Sequence, residues 1–187
     1  MLGYAAYTFA LGGIAWWMAP FLERVRGLSG QAATVRFGAI VVLTGLLGTY
    51  AGGWLGDHLL ARTRQAYLWV SAVTTLAAAP LFAVALLAPA PAVYWSAMVA
   101  AELLMFASTG PINSVIVNVV PPGMRATAVA ASIFTIHCLG DVPSPWLVGR
   151  ISDARSLAVG VLILPAAALV AGLIWLRATT TPASPRV

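Results

Sequence analysis

The chain has 187 residues, of which 61% are hydrophobic and 8% charged, against about 25% charged in ordinary soluble domains. So little polar surface excludes a cytosolic enzyme, a DNA-binding domain and a disordered segment. The net charge of +5 comes from ten arginines and no lysine. They lie singly or in pairs at the ends of apolar runs, where membrane proteins place positive charge, and form no basic stripe for nucleic acid.

A transmembrane helix needs about 20 mostly apolar residues, and the gaps between charges predict six such spans. The first covers residues 1–22 and is closed by Glu23, Arg24 and Arg26. The second covers 37–56, between Arg36 and Asp57. The uncharged run 65–101 is too long for one span and is divided at Pro89-Ala90-Pro91, which gives the third. The fourth covers about 93–120; Gly110-Pro111 interrupts it and Pro121-Pro122-Gly123 ends it. The fifth runs from Arg125 to about Val148, and the sixth lies between Arg155 and Arg177. Residues 1–177 thus read as one six-helix transmembrane domain, and 178–187 as a polar tail.

The spans are read as helices, because lipid admits only helices or closed barrels. Barrel strands would alternate over about ten residues, and these apolar runs do not. The fold class is an all-α membrane protein. In the second span Thr44, Gly48, Gly52 and Gly56 recur every fourth residue, as do Gly45, Thr49, Gly53 and Asp57 beside them. Such spacing lets helices approach closely, so the second and fifth spans are expected to face inward. Gly53 to Asp57 and Gly149 to Asp153 share the pattern G-x-x-x-D at the ends of the second and fifth spans, an echo of a three-plus-three helix repeat. Orientation is undecided by charge, since five arginines fall on each side, Arg186 of the tail included.

Polar groups inside a span are expensive and are functional candidates by default. Glu102 lies within the fourth span, and Asn113 follows the Gly110-Pro111 step. The alternative role for Glu102 is an interhelical hydrogen bond. The fifth span carries His137, Cys138, Gly140, Asp141 and Ser144. His137 and Asp141 are four apart and share a helix face, which Ser144 is expected to continue. A histidine beside a carboxylate near mid-membrane suits proton coupling; the plainer alternative is a neutral histidine that fixes helix packing. An intramembrane hydrolase using Ser144, His137 and Asp141 is a remote alternative, because Ser144 lies about 10 Å along the helix from its base. No metal-ligand spacing, phosphate-binding loop or cofactor signature is present in the sequence.

The string from His137 through Asp141, Ser144, Pro145 and Gly149 to Asp153, preceded by Gly110-Pro-Ile-Asn113 and Pro121-Pro-Gly-Met-Arg125-Ala-Thr-Ala, resembles the Spinster-like branch of the major facilitator superfamily. Gly53 to Asp57 followed by Arg62 resembles the superfamily's loop motif, with His58 where a further basic residue is expected and Leu60 where a glycine is expected. The resemblance covers nearly the whole chain, as the C-terminal six-helix half of a twelve-helix fold.

It implies a secondary active transporter working by alternating access on a lipid-like or amphiphilic anion, with possible coupling to protons. Tyr7, Thr8, Glu102, Asn113, His137, Asp141 and Ser144 would belong to the substrate and proton pathway. Gly53, Asp57, Arg62, Arg125, Gly149 and Asp153 would belong to gate and loop motifs, with Arg125 and Asp57 holding cytoplasmic gate contacts through charge pairing or helix ends. The resemblance puts Asp57, Arg125 and both chain ends in the cytoplasm and the loop at Asp153 outside. The expected location is an integral, multi-pass site in a bacterial inner membrane or plasma membrane. The expected partners are membrane lipid, a small amphiphilic substrate, and either the missing N-terminal six-helix half or a second copy. The chain itself is expected to be a fragment or a stand-alone half.

Overall fold

The computed structural model describes residues 1–180, so Arg186 and most of the expected tail lie outside the described residues. Helix α1 is Leu2–Arg24, α2 Gly30–Leu60, α3 Ala66–Leu87 and α4 Pro91–Asn118. A 3₁₀ turn, Pro122–Met124, leads into α5, Arg125–Ile136. A π turn, His137–Asp141, joins α5 to α6, Pro143–Ala154. The short α7, Leu157–Gly160, precedes α8, Ile163–Thr179. Together these make six segments long and apolar enough to cross a membrane among the described residues. The tail begins later than position 178, because α8 continues through Thr179.

The charge gaps mark hydrocarbon, not helix ends. Helix α2 begins at Gly30, well before Arg36, and continues past Asp57. Its charged residues sit in terminal turns that extend beyond an apolar slab of about 30 Å. Ser29 starts the helix by accepting a hydrogen bond from the Ala32 amide at 3.3 Å. The preceding turn needs Gly27, whose φ is +73°. Arg26 does more than mark a span end. Its Nη2 donates to the carbonyls of Ala85 at 3.2 Å and Leu86 at 2.8 Å, capping the last turn of α3. Its guanidinium also lies 4.7 Å above the Tyr94 ring.

Pro111 does not interrupt the fourth span; α4 runs through it. Without an N–H, Pro111 leaves the Ala107 carbonyl with no intrahelical donor. Gly52 of α2 packs directly on that carbonyl, so closely that a Cβ there would collide with the Ala107 oxygen. Gly48 approaches the Leu103 carbonyl one turn away. Thr44, Gly48, Gly52 and Gly56 are all buried, whereas an added Cβ at Gly53 would meet nothing within 4 Å.

Two apolar clusters fill the bundle. One gathers Met18, Phe21, Phe82, Met98, Val148 and Leu164 toward the Arg24 end. The other gathers Tyr4, Tyr7, Met105, Ile112 and Trp175 toward the Met1 end. Helix α4 contributes Met98 and Ala101 to the first and Met105 to the second, and Glu102 falls between them.

The second span packs inward through its small-residue stripe and leaves its other face open, while the fifth, contrary to the sequence expectation, is mostly exposed. Only Ser132 is buried in α5, and α2 leaves Val42, Leu46, Leu47, Tyr50 and Trp54 exposed. Small residues signal close approach but not to what: one stripe of α2 meets α4, whereas α5 touches the bundle only along a narrow edge that includes Ala128 and Ser132.

Candidate functional site

Tyr4 and Tyr7 are three residues apart and share one face of α1. Tyr7 is fully buried, and its hydroxyl donates to the Met105 carbonyl at 2.6 Å and lies 3.1 Å from the Thr109 hydroxyl. Asn113 donates from Nδ2 to the Tyr4 hydroxyl at 3.2 Å and to the Thr109 carbonyl at 2.9 Å. Trp175 of α8 completes the group, its ring centroid 5.4 Å from Tyr7 and 6.5 Å from Tyr4. These contacts form a polar seam between α1 and α4 backed by aromatic rings. Thr8 is turned elsewhere, donating to the Tyr4 carbonyl at 2.8 Å. Tyr4, Thr109 and Trp175 were missed in the sequence; only the i, i+3 spacing of the two tyrosines could have pointed to them.

Glu102 is 1% exposed, the one buried acidic or basic side chain among the described residues. Its Oε1 has no hydrogen-bond partner. An ionised carboxylate there would have no counter-ion to offset its desolvation.

His137 and Asp141 do meet, with Nδ1 2.8 Å from Oδ2 and 3.0 Å from Oδ1. The π turn that carries them has a local cause. Pro143 and Pro145 lack the N–H groups that would bond the Leu139 and Asp141 carbonyls. The chain widens instead, and the Val142 amide reaches back five residues to the His137 carbonyl at 3.2 Å.

That extra residue moves Ser144 off the expected face. A π turn shifts everything after it by roughly 100° around the helix axis. Ser144 is buried and donates to the Phe9 carbonyl at 2.6 Å. It is not aligned with His137, so the hydrolase alternative fails on geometry. Helix α1 holds the turn by further contacts. Trp17 Nε1 donates to the Pro145 carbonyl at 3.0 Å, and Gly140 leaves no room for a Cβ against Ala5 and Thr8.

A cavity of about 620 Å³ opens between α1 and this turn, lined by Gly12, Trp16, His137, Asp141, Pro145 and Trp146 among others. Glu102 and Tyr7 face the bundle interior, while His137 is exposed, its side chain 55% accessible. Of the expected pathway residues, Tyr7, Glu102 and Ser144 are buried, on α1, α4 and α6; Thr8 and Asp141 are half-buried, and Asn113 and His137 are exposed.

Asp57 accepts a hydrogen bond from the Tyr67 hydroxyl at 2.6 Å. Tyr67 stands at the start of α3. Arg62, Arg125 and Asp153 are exposed. Gly53 is open on its outer side, and Gly149 lies against the Trp17 ring. Among the described residues no three His, Cys, Asp or Glu side chains converge as a metal site.

No family model matches the chain. It is 33% identical over 175 residues to the probable sphingolipid transporter spinster homolog 2 of Arabidopsis thaliana, covering 90% of this chain and 36% of that protein. It is 32% identical over 165 residues to the sphingosine-1-phosphate transporter SPNS2 of Mus musculus, covering 81% of this chain and 30% of that protein. The fold matches a bacterial homolog of the human lysosomal transporter spinster, solved inward-facing and occupied, with a TM-score of 0.86 at 23% identity. That match covers 96% of this chain and 48% of the solved chain. The chain spans about a third of the length of these curated relatives. Over nearly its whole length it is a spinster-like, integral, multi-pass membrane protein whose six helices make one half of a major facilitator fold.

Proposed function

We propose that the six-helix domain, residues 1–177, serves as the C-terminal half of a secondary transporter. It works by alternating access on a lipid-like, amphiphilic substrate bearing an anionic group. The observation that carries this reading is the extent of the likeness: nearly all of this chain aligns with spinster relatives, yet only about a third of each relative is used. A second six-helix half is the partner that would cover the exposed faces of α2 and α5. In such folds the substrate lies between the two halves near the membrane midplane.

The proton-responsive groups in this reading are Glu102 and the His137–Asp141 pair. Both are ionisable groups within spans, which are retained for ion or proton pathways. Tyr7, Thr8 and Asn113 border the substrate path, and Asp57, Arg62, Arg125, Gly149 and Asp153 belong to the moving ends.

The test is uptake of a fluorescent lysolipid into proteoliposomes. The chain is reconstituted alone and together with a spinster N-terminal six-helix half made in the same cells. Uptake that requires both halves supports the reading. Uptake by the chain alone, running as cross-linkable homodimers, would replace the partner half with a second copy. No uptake in either case, from protein that is folded and inserted, would overturn the transporter assignment.

A further inference from the structure

We propose that the cavity between α1 and the π turn is a cation site, taking the ammonium group of an amphiphile against Asp141 and between the indoles of Trp16 and Trp146. The inference rests on the transporter reading for the amphiphilic class of the ligand, and adds which of its charges this half receives.

The cavity holds about 620 Å³, and Asp141 is the one carboxylate in its wall. Gly12 lies against the backbone of Asp141, so α1 closes the floor beneath the carboxylate. Trp16 stands one turn beyond Gly12, and Trp146 five residues beyond Asp141. Both indoles are exposed, at 70% and 64%. Indole faces attract cations more strongly than other aromatic rings do. The chain already uses one of them this way, since the Arg150 guanidinium lies 5.8 Å above the Trp146 ring.

Apart from the indole N–H groups of Trp16 and Trp146, the wall offers few hydrogen-bond donors. Neutral His137 that donates from Nδ1 to Asp141 keeps a lone pair on Nε2. Pro145 has no N–H, and the Val142 amide is committed to the His137 carbonyl. An anionic headgroup would therefore meet the Asp141 carboxylate with little besides the indole N–H groups to bind it. A zwitterionic amphiphile would place its ammonium here and its anionic group elsewhere.

The test uses the full chain in nanodiscs with two probes of equal length. One is dodecyltrimethylammonium; the other is its uncharged isostere with carbon in place of nitrogen. Binding is measured relative to empty nanodiscs. The expected preference for the cation is about tenfold or more. Asp141→Asn should reduce it to about threefold or less, and Trp16→Leu should weaken the cation alone. Trp16 is exposed, so this variant keeps its fold even where Asp141→Asn does not. Equal binding of the two probes, or a preference unchanged in both variants, would overturn the site. Because binding is read without transport, that failure would leave the transporter reading intact, and absent uptake with a preserved preference would sink the transporter reading alone.

Discussion

Gly12 and Asp141 meet backbone to backbone: a Cβ at Gly12 would fall on the Cβ and Cα of Asp141. The π turn is held where it is because α1 has no side chain at that point. Gly12→Ala should push the turn away and cost about 1–3 kcal/mol, as overpacking does. Thermal unfolding in detergent would measure the loss. A melting temperature equal to or above that of the unaltered chain would mean the turn yields freely.

Gly52 and Gly53 are neighbours with opposite expectations. Alanine at 52 collides with the Ala107 carbonyl, whereas alanine at 53 meets nothing. Gly53→Ala should stabilise by about 0.5–1 kcal/mol through helix propensity. Gly52→Ala should instead destabilise by about 1–3 kcal/mol. Paired melting curves settle the sign at each position.

Ser144 and Ser132 are both buried, but only Ser144 has a partner, the Phe9 carbonyl. Ser144→Ala should cost about 1 kcal/mol, a typical net hydrogen bond. Ser132→Ala should be neutral or stabilising, because it removes an unsatisfied polar atom. Equal losses at the two positions would contradict the hydrogen-bond assignment.

Glu102→Met replaces an orphaned acid with an apolar side chain of similar length. It should raise stability by about 1–3 kcal/mol while abolishing proton-linked uptake by the assembled transporter. Melting curves and uptake are read on the same preparation. A variant that is less stable than the original would show that Glu102 has a structural partner.

His137→Gln keeps a hydrogen-bonding group beside Asp141 but cannot carry charge. In the assembled two-half transporter it should retain substrate binding and lose the dependence of uptake on a pH gradient. A charge change can bias two conformations only if it is felt differently in each. Uptake that still followed the gradient at full strength would move coupling to Glu102 or to the other half.

Much of this architecture is readable from residue types alone. Charge-free runs reveal spans because the hydrocarbon slab excludes arginine and aspartate along its depth. They say little about helix ends, since Arg36 and Asp57 fit within the overhanging turns of α2. Pro111 reads as a break, yet α4 continues, because Gly52 can occupy the space at the freed carbonyl. The pairing of His137 with Asp141 follows from simple spacing. The displacement of Ser144 does not, since a single extra residue in a turn leaves no mark on composition; only Pro143 and Pro145 hint at it. Glu102 stands out as a charge in an apolar run, but its lack of a partner depends on how three-dimensional neighbours are arranged.

Helix α2 has 31 residues, which at about 1.5 Å each give a rod of ~46 Å. A hydrocarbon core of about 30 Å cannot cover that length in an upright helix. The helix must lean or protrude, and membrane thickness sets the balance between the two. Its glycine stripe is pinned on α4 near Ala107 and Asp57 is tied to Tyr67, so that region is a fulcrum and the long arm is the end that begins at Gly30. A thinner bilayer demands more lean and carries that end sideways along the membrane surface. Lipid chain length thereby becomes a mechanical input to the protein, delivered through its longest unbroken helix.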